Sequence, residues 1–353
     1  MRQAPKISCR YAYASTRVKA MKSNLIGEEG MKNIMNAKSL EEIISQLSQT
    51  DYKIELEQFG GMKISSDYID FALSENLAKN VGKLIKITPA KERDIIRAIF
   101  GRWDIYNIEL AIDAKASGKS FDDISKYIIN YGPHDIASIK EALSEESMEN
   151  MILKLMNNSP YKKLLREALE IIRGGGDALQ ANTAIDRLYY QGLAKMLPII
   201  KKLSQESFII INYDMEMRNI LVLIRAKKYG LSFEEIEKNL IISSNLNKEK
   251  LEAMYKSAKD EIELARGAKD FDLTKEIEDY EKNRKLLVFE IGMQNQILKK
   301  SVRLLGYTLL SFGTIIAYAY IKEIEVLNIR ILAKGMQYNL NKEDLSKMIV
   351  WKN

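Results

Sequence analysis

The sequence predicts an all-α protein that contains three similar helical units, each about a third of the chain in length. One reason is a helical phrase that occurs three times at nearly even spacing, centred on Asn107, Asn219 and Asn328. The other reason is composition, because the 353 residues include only 5 prolines and are rich in residues that favour helices. The predicted units are residues 1–130 (unit 1), 131–241 (unit 2) and 242–353 (unit 3).

The three phrases agree well beyond the asparagine. Three positions before it, each copy has an acid: Asp104, Glu216 and Glu325. Apolar residues lie two before, one after and four after it, and this spacing places an apolar stripe on one helix face. The stripe consists of Ile105, Ile108 and Ala111, of Met217, Ile220 and Leu223, and of Val326, Ile329 and Leu332. We expect this face to be buried.

Each phrase also contains signals that end one helix and begin another. Seven positions after the asparagine lies a small residue, where another helix can approach closely: Ala114, Ala226 or Gly335. Four positions later comes a residue that accepts a left-handed helix end: Gly118, Gly230 or Asn339. Candidate helix caps and their capping-box acids then follow as Ser120 with Asp123, Ser232 with Glu235, and Asn341 with Asp344. Each unit should therefore end as a long helix, a tight stop and a short helix.

Earlier parts of the unit repeat between the first two copies. The phrase that begins S-L-E-E-I-I at Ser39 recurs as S-M-E-N-M-I at Ser147. The phrase I-D-F-A-L-S-E-N-L-A-K at Ile69 recurs as I-D-R-L-Y-Y-Q-G-L-A-K at Ile185. In unit 3 the corresponding text, around 251–285, is charged and helical and aligns only loosely.

The repeated asparagine predicts a structural role. Asparagine is mildly unfavourable inside a helix, so its presence in all three copies favours a side-chain hydrogen bond to neighbouring backbone over ligand binding. The three acids occupy equivalent places in separate units, so we do not expect them to converge as a catalytic pair. Six tyrosines are expected to be anchors of the core rather than partner contacts: Tyr11, Tyr13, Tyr189, Tyr190, Tyr318 and Tyr320.

Catalytic signals are weak. His134 is the only histidine, which argues against His-based triads and multi-histidine metal sites, and it is expected in a loop. Cys9 is the only cysteine, so no internal disulfide can form, and a cytoplasmic protein is expected. Gly174–Gly176 precede no Lys-Ser or Lys-Thr pair and are interpreted as a helix connection. No catalytic residue, cofactor or metal site is predicted.

Charge and hydropathy limit the possible partners. The net charge of +6 comes without a long basic run or a nucleic-acid motif, so no nucleic-acid partner is predicted. Residues 304–321 contain no charged side chain, which just reaches the length of a membrane span. The equivalent stretch of unit 2 contains lysines and a glutamate, and we therefore interpret 304–321 as a buried helix pair with its turn at Ser311–Gly313.

Several segments resemble one protein family. They are Y-A-Y-A-S-T-R-V-K-A-M-K-S-N-L from Tyr11, S-L-E-E-I-I at Ser39, R-W-D-I-Y-N-I at Arg102, S-M-E-N-M at Ser147 and K-E-I-E-V-L-N-I-R at Lys322. The chain resembles the C subunit of the archaeal A-type and bacterial V-type ATP synthases, the counterpart of the d subunit in eukaryotic V-ATPases. The resemblance covers essentially the whole chain.

The resemblance implies a fold and a task. It implies a pseudo-threefold funnel that sits on the proteolipid rotor ring, one copy per complex, peripheral to the cytoplasmic face of the membrane. The funnel would receive the central shaft and transmit torque without being an enzyme. The matching positions that become candidates for the framework or its interfaces are Trp103, Asp104, Asn107, Glu216, Asn219, Glu323, Glu325, Asn328 and Arg330.

Two other classes stay open on the residues alone. An all-helical cytoplasmic scaffold or adaptor would also contain repeats, although the usual solenoid repeats of about 20 to 50 residues are much shorter than these units. A helical enzyme would need a convergent constellation of polar residues, which the sequence does not present.

Overall fold

The structure is a computed structural model that describes residues 9–58, 61, 63–242, 247–307 and 310–350. Within these ranges the chain forms α-helices joined by short loops and 3-10 turns, and no β-strand occurs. The prediction of an all-α protein is confirmed. The side chain of Cys9 lies outside the described part.

After α1 (Ala12–Lys22), which has no counterpart in the other units, the helices follow a similar order in each predicted unit. In unit 1 they are α1 (Ala12–Lys22), α2 (Glu28–Asn36), α3 (Leu40–Leu47), α4 (Lys53–Gln58), α5 (Ser66–Ile87), α6 (Arg93–Phe100), α7 (Arg102–Ala116) and α8 (Phe121–Ile124). In unit 2 they are α9 (Ile136–Leu143), α10 (Met148–Met156), α11 (Lys162–Arg173), α12 (Ala178–Leu203), α13 (Gln205–Tyr229) and α14 (Phe233–Ile236). In unit 3 they are α15 (Lys248–Ser257), α16 (Glu261–Gly267), α17 (Thr274–Asn283), α18 (Leu287–Tyr307), α19 (Phe312–Gln337) and α20 (Lys342–Met348).

Each unit therefore contains a set of short helices, a hairpin of two long arms and a final short helix. The hairpins are α5 with α6 and α7, α12 with α13, and α18 with α19. In unit 1 the second arm is divided at Gly101. The three short helices of unit 3, α15 to α17, lie where the sequence aligned only loosely.

The predicted helix ends are confirmed. Gly118, Gly230 and Asn339 have positive φ angles of 68°, 69° and 55°, the left-handed conformation that ends a helix. Ser120 and Ser232 form capping boxes with Asp123 and Glu235, and the Asn341 side chain accepts from the backbone N–H of Asp344. The repeated text after each asparagine is therefore a local folding signal.

The apolar stripe is buried as predicted in all three copies. The close helix approach expected at the small residues is clearest at Gly335, where an added Cβ would overlap the side chain of Leu345. Because α20 packs against α19 at this point, the glycine lets the short helix close onto the long one.

The helix pair expected at 304–321 is confirmed, but its turn was placed wrongly. Ser311 is the N-cap of α19 and Gly313 lies inside that helix. An added Cβ at Gly313 would lie 3.0 Å from Ser204 Oγ, so this glycine serves a close approach between helices. No helix in the described ranges has the length and apolarity needed to cross a bilayer.

Two further predictions have different outcomes. The glycine run does connect two helices, since α11 ends at Arg173, α12 begins at Ala178 and Gly175 has a φ of 83°. Five of the six tyrosines are buried, but Tyr13 is 66% exposed and the prediction for it is wrong. Tyr13 lies on the outer face of α1, and its neighbours Tyr11 and Ala14 face the core.

Helix contacts link each unit to the next. The long helix α7 packs on α12, α13 packs on α18, and α19 packs on α5 and α1. The third unit thus returns to the first, and the long helices surround a common centre.

Candidate functional site

An open cavity of about 680 Å³ lies between the long helices of the three units. Its walls come from α7 of unit 1, from α12 and α13 of unit 2, and from α18 and α19 of unit 3. On the side where α6, α13 and α19 begin, apolar side chains close it, among them Phe100, Ile210 and Ile316. The cavity therefore has a charged wall and an apolar floor.

The wall brings together one charged residue from each unit, five positions before the repeated asparagine. These residues are Arg102, Asp214 and Glu323. Arg102 and Glu323 form an ion pair, with side chains only 19% and 12% exposed. Burial alone would lower the pKa of Arg102, but the carboxylates of Glu323 and Asp214 outweigh it and raise that pKa. Burial raises the pKa of Glu323.

A second arginine continues this network in unit 2. Arg218 Nε lies 3.3 Å from Asp214 Oδ2, and the guanidinium carbon lies 4.4 Å from the centre of the Tyr190 ring. Burial alone would lower the pKa of Arg218, but nearby carboxylates, Asp214 foremost, outweigh it and raise that pKa. One carboxylate, Asp214, thus stabilises the guanidinium groups of two units.

The wall between units 1 and 2 carries a pair of carboxyl groups. Glu109 of α7 and Asp186 of α12 are hydrogen-bonded to each other. Burial, with the charges of Asp186 and Asp113, raises the pKa of Glu109 to about 9, and burial also raises the pKa of Asp186. The two groups therefore share a proton at neutral pH.

The wall between units 3 and 1 is held by opposite charges. Arg330 donates from Nε to Asp70 Oδ1 and from Nη2 to Ser74 Oγ, the latter at 3.2 Å. Lys334 Nζ lies 3.3 Å from Asp70 Oδ2. One carboxylate of unit 1, Asp70, thus pairs with two cations of α19.

The nine candidate positions are divided between the cavity and the packed interior. Trp103 lies beside Arg102, whose guanidinium carbon is 5.4 Å from the ring centre. Of the nine, only Trp103, Glu323 and Arg330 line the cavity. The others are the three asparagines and the three repeated acids, and their contacts are with other parts of the framework.

The three asparagines lie away from the cavity and hold backbone in place. Each side-chain amide donates to the carbonyl and accepts from the N–H of one residue, which lies 22 positions further along the chain. The pairs are Asn107 with Ile129, Asn219 with Ile241, and Asn328 with Val350. Distances are 2.7 to 3.1 Å and all six bonds are buried. The predicted backbone hydrogen bonds are confirmed, and they fix the end of each unit against its long helix.

Two of the repeated acids hold the start of a neighbouring unit. Asp104 Oδ1 accepts from the backbone N–H of His134 at 2.8 Å, and His134 lies buried in the predicted loop. The imidazole Nδ1 lies 3.2 Å from Asp104 Oδ2. Glu325 Oε2 accepts from the backbone N–H of Ile26 at 2.5 Å. In both cases the donor directly precedes the N-cap residue of a short helix near the start of a unit, α9 or α2.

The third acid, Glu216, has a different partner. Burial and a hydrogen bond with Asp270, a residue of unit 3, raise the pKa of Glu216 to about 8. Each acid thus contacts the following unit, and the three acids do not converge, as expected from their equivalent positions.

Sequence reasoning missed five charged residues that line the cavity, namely Arg102, Glu109, Asp186, Asp214 and Arg218. A usable signal was present. The position five before each asparagine is charged in all three copies, as Arg102, Asp214 and Glu323. Equivalent positions on the inner faces of three units meet at the common centre, whereas positions on the packed faces do not.

Comparison with known proteins agrees with this architecture. The family model described as ATP synthase (C/AC39) subunit matches residues 14–348. The chain belongs to this family. It is accordingly a non-catalytic subunit of an ATP synthase, and its charged cavity needs no catalytic interpretation.

Curated relatives are similar along nearly the full chain. The A-type ATP synthase C subunit of Thermococcus kodakarensis is 28% identical over 347 residues, 96% of this chain and 90% of the relative. The C subunit of Methanocaldococcus jannaschii is 25% identical over 345 residues, 96% and 86% of the two chains. The C subunit of Archaeoglobus fulgidus is 25% identical over 342 residues, 96% of each.

Proposed function

We propose that this chain is the central-stalk rotor subunit of an A/V-type rotary ATPase. It joins the proteolipid ring in the membrane to the central shaft and transmits torque between them. The observation that carries the proposal is the central cavity, because there Arg102, Asp214 and Glu323 of three similar units meet. The names of the curated relatives support the same assignment.

The cavity suits an asymmetric shaft. Its wall between units 1 and 2 carries the carboxyl groups of Glu109 and Asp186, and its wall between units 3 and 1 carries Arg330. Three identical walls would bind a shaft equally well in three orientations. Walls of different charge favour one orientation, because a misplaced charged partner would meet like charge or leave buried groups unpaired.

Torque transmission also needs a stiff body between its two interfaces. Here the long helices pack on one another around the full circle, and the buried bonds of Asn107, Asn219 and Asn328 fix each unit's last segment. Close-packed interiors transmit strain well. The chain would sit on the ring with its apolar floor toward the membrane, one copy per complex, peripheral to the cytoplasmic face.

Affinity purification from detergent-solubilised membranes tests the proposal. A tagged chain should recover both a proteolipid ring and the shaft subunits of the ATPase. A chain that returns as a free monomer, or with an unrelated set of partners as an adaptor would, contradicts it.

A charge reversal in the cavity sharpens the test. Arg225 lines the cavity and pairs with Glu290 at 3.2 Å, and Arg225→Glu places like charges together there. We expect this variant to lose shaft subunits at least about tenfold and to keep the ring. The matched control is Arg173→Glu, since Arg173 is similarly exposed, pairs with Glu149 at 2.9 Å and lies outside the cavity. Equal loss in both variants would contradict the assignment of the cavity to the shaft.

A further inference from the structure

Two carboxyl groups from neighbouring units face each other in the wall of the cavity. Glu109 of α7 and Asp186 of α12 both line it. One helical turn away, Asn182 donates from Nδ2 to Asp113 Oδ1 at 2.8 Å. Asp113 follows Glu109 by four residues and Asn182 precedes Asp186 by four. The packed helices α7 and α12 therefore run antiparallel here and bring the two acids together.

The other charges of the cavity wall are matched within the chain. In the part of the chain that the structure describes, every arginine that lines the cavity is paired with a carboxylate. The pairs are Arg102 with Glu323, Arg187 with Glu167, Arg218 with Asp214, Arg225 with Glu290, and Arg330 with Asp70. Among the same residues, neither Glu109 nor Asp186 forms an ion pair. These two acids are the unmatched charges of the wall.

The groups nearest the two acids do not neutralise them. Arg218 of α13 favours the ionised form of both, but its guanidinium is bound to Asp214 at 3.3 Å. After burial and Asp186, the charge of Asp113 is the next influence that raises the pKa of Glu109. Burial raises the pKa of Tyr106 on α7, so its hydroxyl stays neutral. The two carboxyl groups are therefore joined by a proton, which stands where a cation would otherwise be needed.

A partner that enters the cavity can reach this pair. Asp186 is exposed and Glu109 is half-buried, and the cavity beside them has a volume of about 680 Å³. A cation placed against two carboxyl groups favours their ionised form, because both can then make charge-assisted hydrogen bonds to it. The shared proton would leave when such a cation arrives.

We propose that Glu109 and Asp186 together receive a basic side chain at the end of the shaft, and that docking of the shaft releases the proton they share. The inference rests on the proposed function, since it takes the cavity as the seat of the shaft. A lysine or arginine supplies the charge that this wall lacks. An acidic group would meet two further acids, and an apolar group would cover them without a cation. The shaft should therefore bind more tightly as pH rises.

Calorimetric titration of the purified shaft subunits into the full chain tests the proposal. Titrations at one pH in two buffers of different ionisation enthalpy count the protons that binding releases. The pKa of Glu109 is about 9 in the free chain, and a cation within about 4 to 6 Å lowers a carboxyl pKa by about 1 to 3. We therefore expect release of about 0.4 to 0.9 proton per shaft at pH 8, and an affinity that rises roughly fivefold or more from pH 6 to pH 9.

Amide substitutions on the two helices isolate the contribution of the pair. Glu109→Gln and Asp186→Asn each leave one carboxylate beside an amide N–H that can replace the shared proton, so both variants should fold, as circular dichroism checks. Each should release less than about 0.2 proton and bind the shaft with an affinity that changes by less than about twofold from pH 6 to pH 9. Glu234→Gln is the control, at a 71% exposed side chain outside the cavity, and should keep the proton release of the original chain.

The outcomes separate this inference from the proposed function. A shaft that binds without proton release, or with equal release in the original chain and both amide variants, would overturn the inference and leave the proposed function standing. A chain that binds no shaft subunit at any pH would overturn both. Proton release by Mg²⁺ alone, with no further release on adding the shaft, would assign the carboxyl pair to a metal ion and also overturn the inference.

Discussion

The carboxylate of Glu325 accepts a 2.5 Å hydrogen bond from the backbone N–H of Ile26, a residue 299 positions away in the sequence. Asp104 makes the equivalent bond to His134 at 2.8 Å. The contact of unit 3 with unit 1 therefore repeats the contact of unit 1 with unit 2, although no chain connection joins units 3 and 1. The repetition indicates that the three units close into a ring.

Glu325 should be essential for this closure. Besides Ile26, it accepts from the Tyr52 hydroxyl at 2.8 Å and from Lys322 Nζ at 2.8 Å, and Lys322 is only 1% exposed. We expect Glu325→Gln to lower the free energy of unfolding by about 3 to 5 kcal/mol, because it leaves a buried ammonium group unpaired. Urea unfolding followed by circular dichroism measures the loss.

A double-mutant cycle separates that charge from the other bonds. Adding Lys322→Met to Glu325→Gln should recover much of the stability, since the unpaired charge is removed. If the double variant lost as much free energy of unfolding as the two single variants together, Lys322 and Glu325 would not stabilise each other.

The asparagine bonds predict an order of stability losses. Asn219→Ala leaves the N–H and carbonyl of Ile241 unpaired inside the protein, at a cost of about 2 to 4 kcal/mol. Asn107→Ala should cost more, because Asn107 also donates to the His134 carbonyl at 2.9 Å. The exposed Asn33→Ala is the control and should change stability by less than about 0.5 kcal/mol. Urea midpoints in the reverse order would contradict these roles.

Gly335 should reject even one methyl group. In most helices Gly→Ala stabilises by up to about 1 kcal/mol, and Gly192→Ala in α12, with nothing within 4 Å of the added Cβ, should do so. Gly335→Ala should instead destabilise, since its Cβ would overlap Leu345. Thermal unfolding compares the two variants. Adding Leu345→Ala should reduce the destabilisation that Gly335→Ala causes. If the destabilisation were unchanged, the clash would lie elsewhere.

The carboxyl pair of Glu109 and Asp186 predicts a dependence of stability on pH. The pKa of Glu109 is about 9 in the folded protein and 4.5 without the surrounding structure, so the folded state binds the extra proton between these values. The contribution of the raised Glu109 pKa to the free energy of unfolding is complete below about pH 4.5. It is lost as pH rises toward 9. The slope is at most about 1.4 kcal/mol per pH unit.

Urea midpoints from pH 5 to pH 9 check this prediction. Stability should fall with rising pH in the original chain, and Glu109→Gln should flatten the decline. Glu234→Gln, at a 71% exposed side chain, is the control and should leave the slope unchanged. An unchanged slope in Glu109→Gln would locate the pH dependence elsewhere.

Much of the fold could be predicted because its signals are local. The left-handed ends at Gly118, Gly230 and Asn339 and the capping boxes depend on neighbouring residues alone. The hydrogen bonds of the asparagines could be predicted in kind, because a buried amide needs partners. Which backbone groups they bind could not be named, since that choice depends on how each short helix folds back.

Which side chains pair in the charged centre could not be predicted, because the pairing depends on closure between units. Arg102 begins α7 of unit 1 and Glu323 lies in α19 of unit 3, so they meet only after unit 3 has returned to unit 1. The misplaced turn has a local cause. Ser311 and Gly313 have the composition of a turn, but Ser311 caps α19 and Gly313 allows a close contact with Ser204.

Rotation of this chain relative to the catalytic head tests the central claim most directly. In a purified, immobilised complex, a bead attached through a cysteine in place of the exposed Ile54, in a chain that carries Cys9→Ser, should turn in one direction when ATP is added. The same bead on a complex that carries Arg225→Glu should lose steady rotation, since torque would no longer pass from the shaft. A bead that stays fixed to the head while ATP is hydrolysed and the shaft turns would show that this subunit is not part of the rotor.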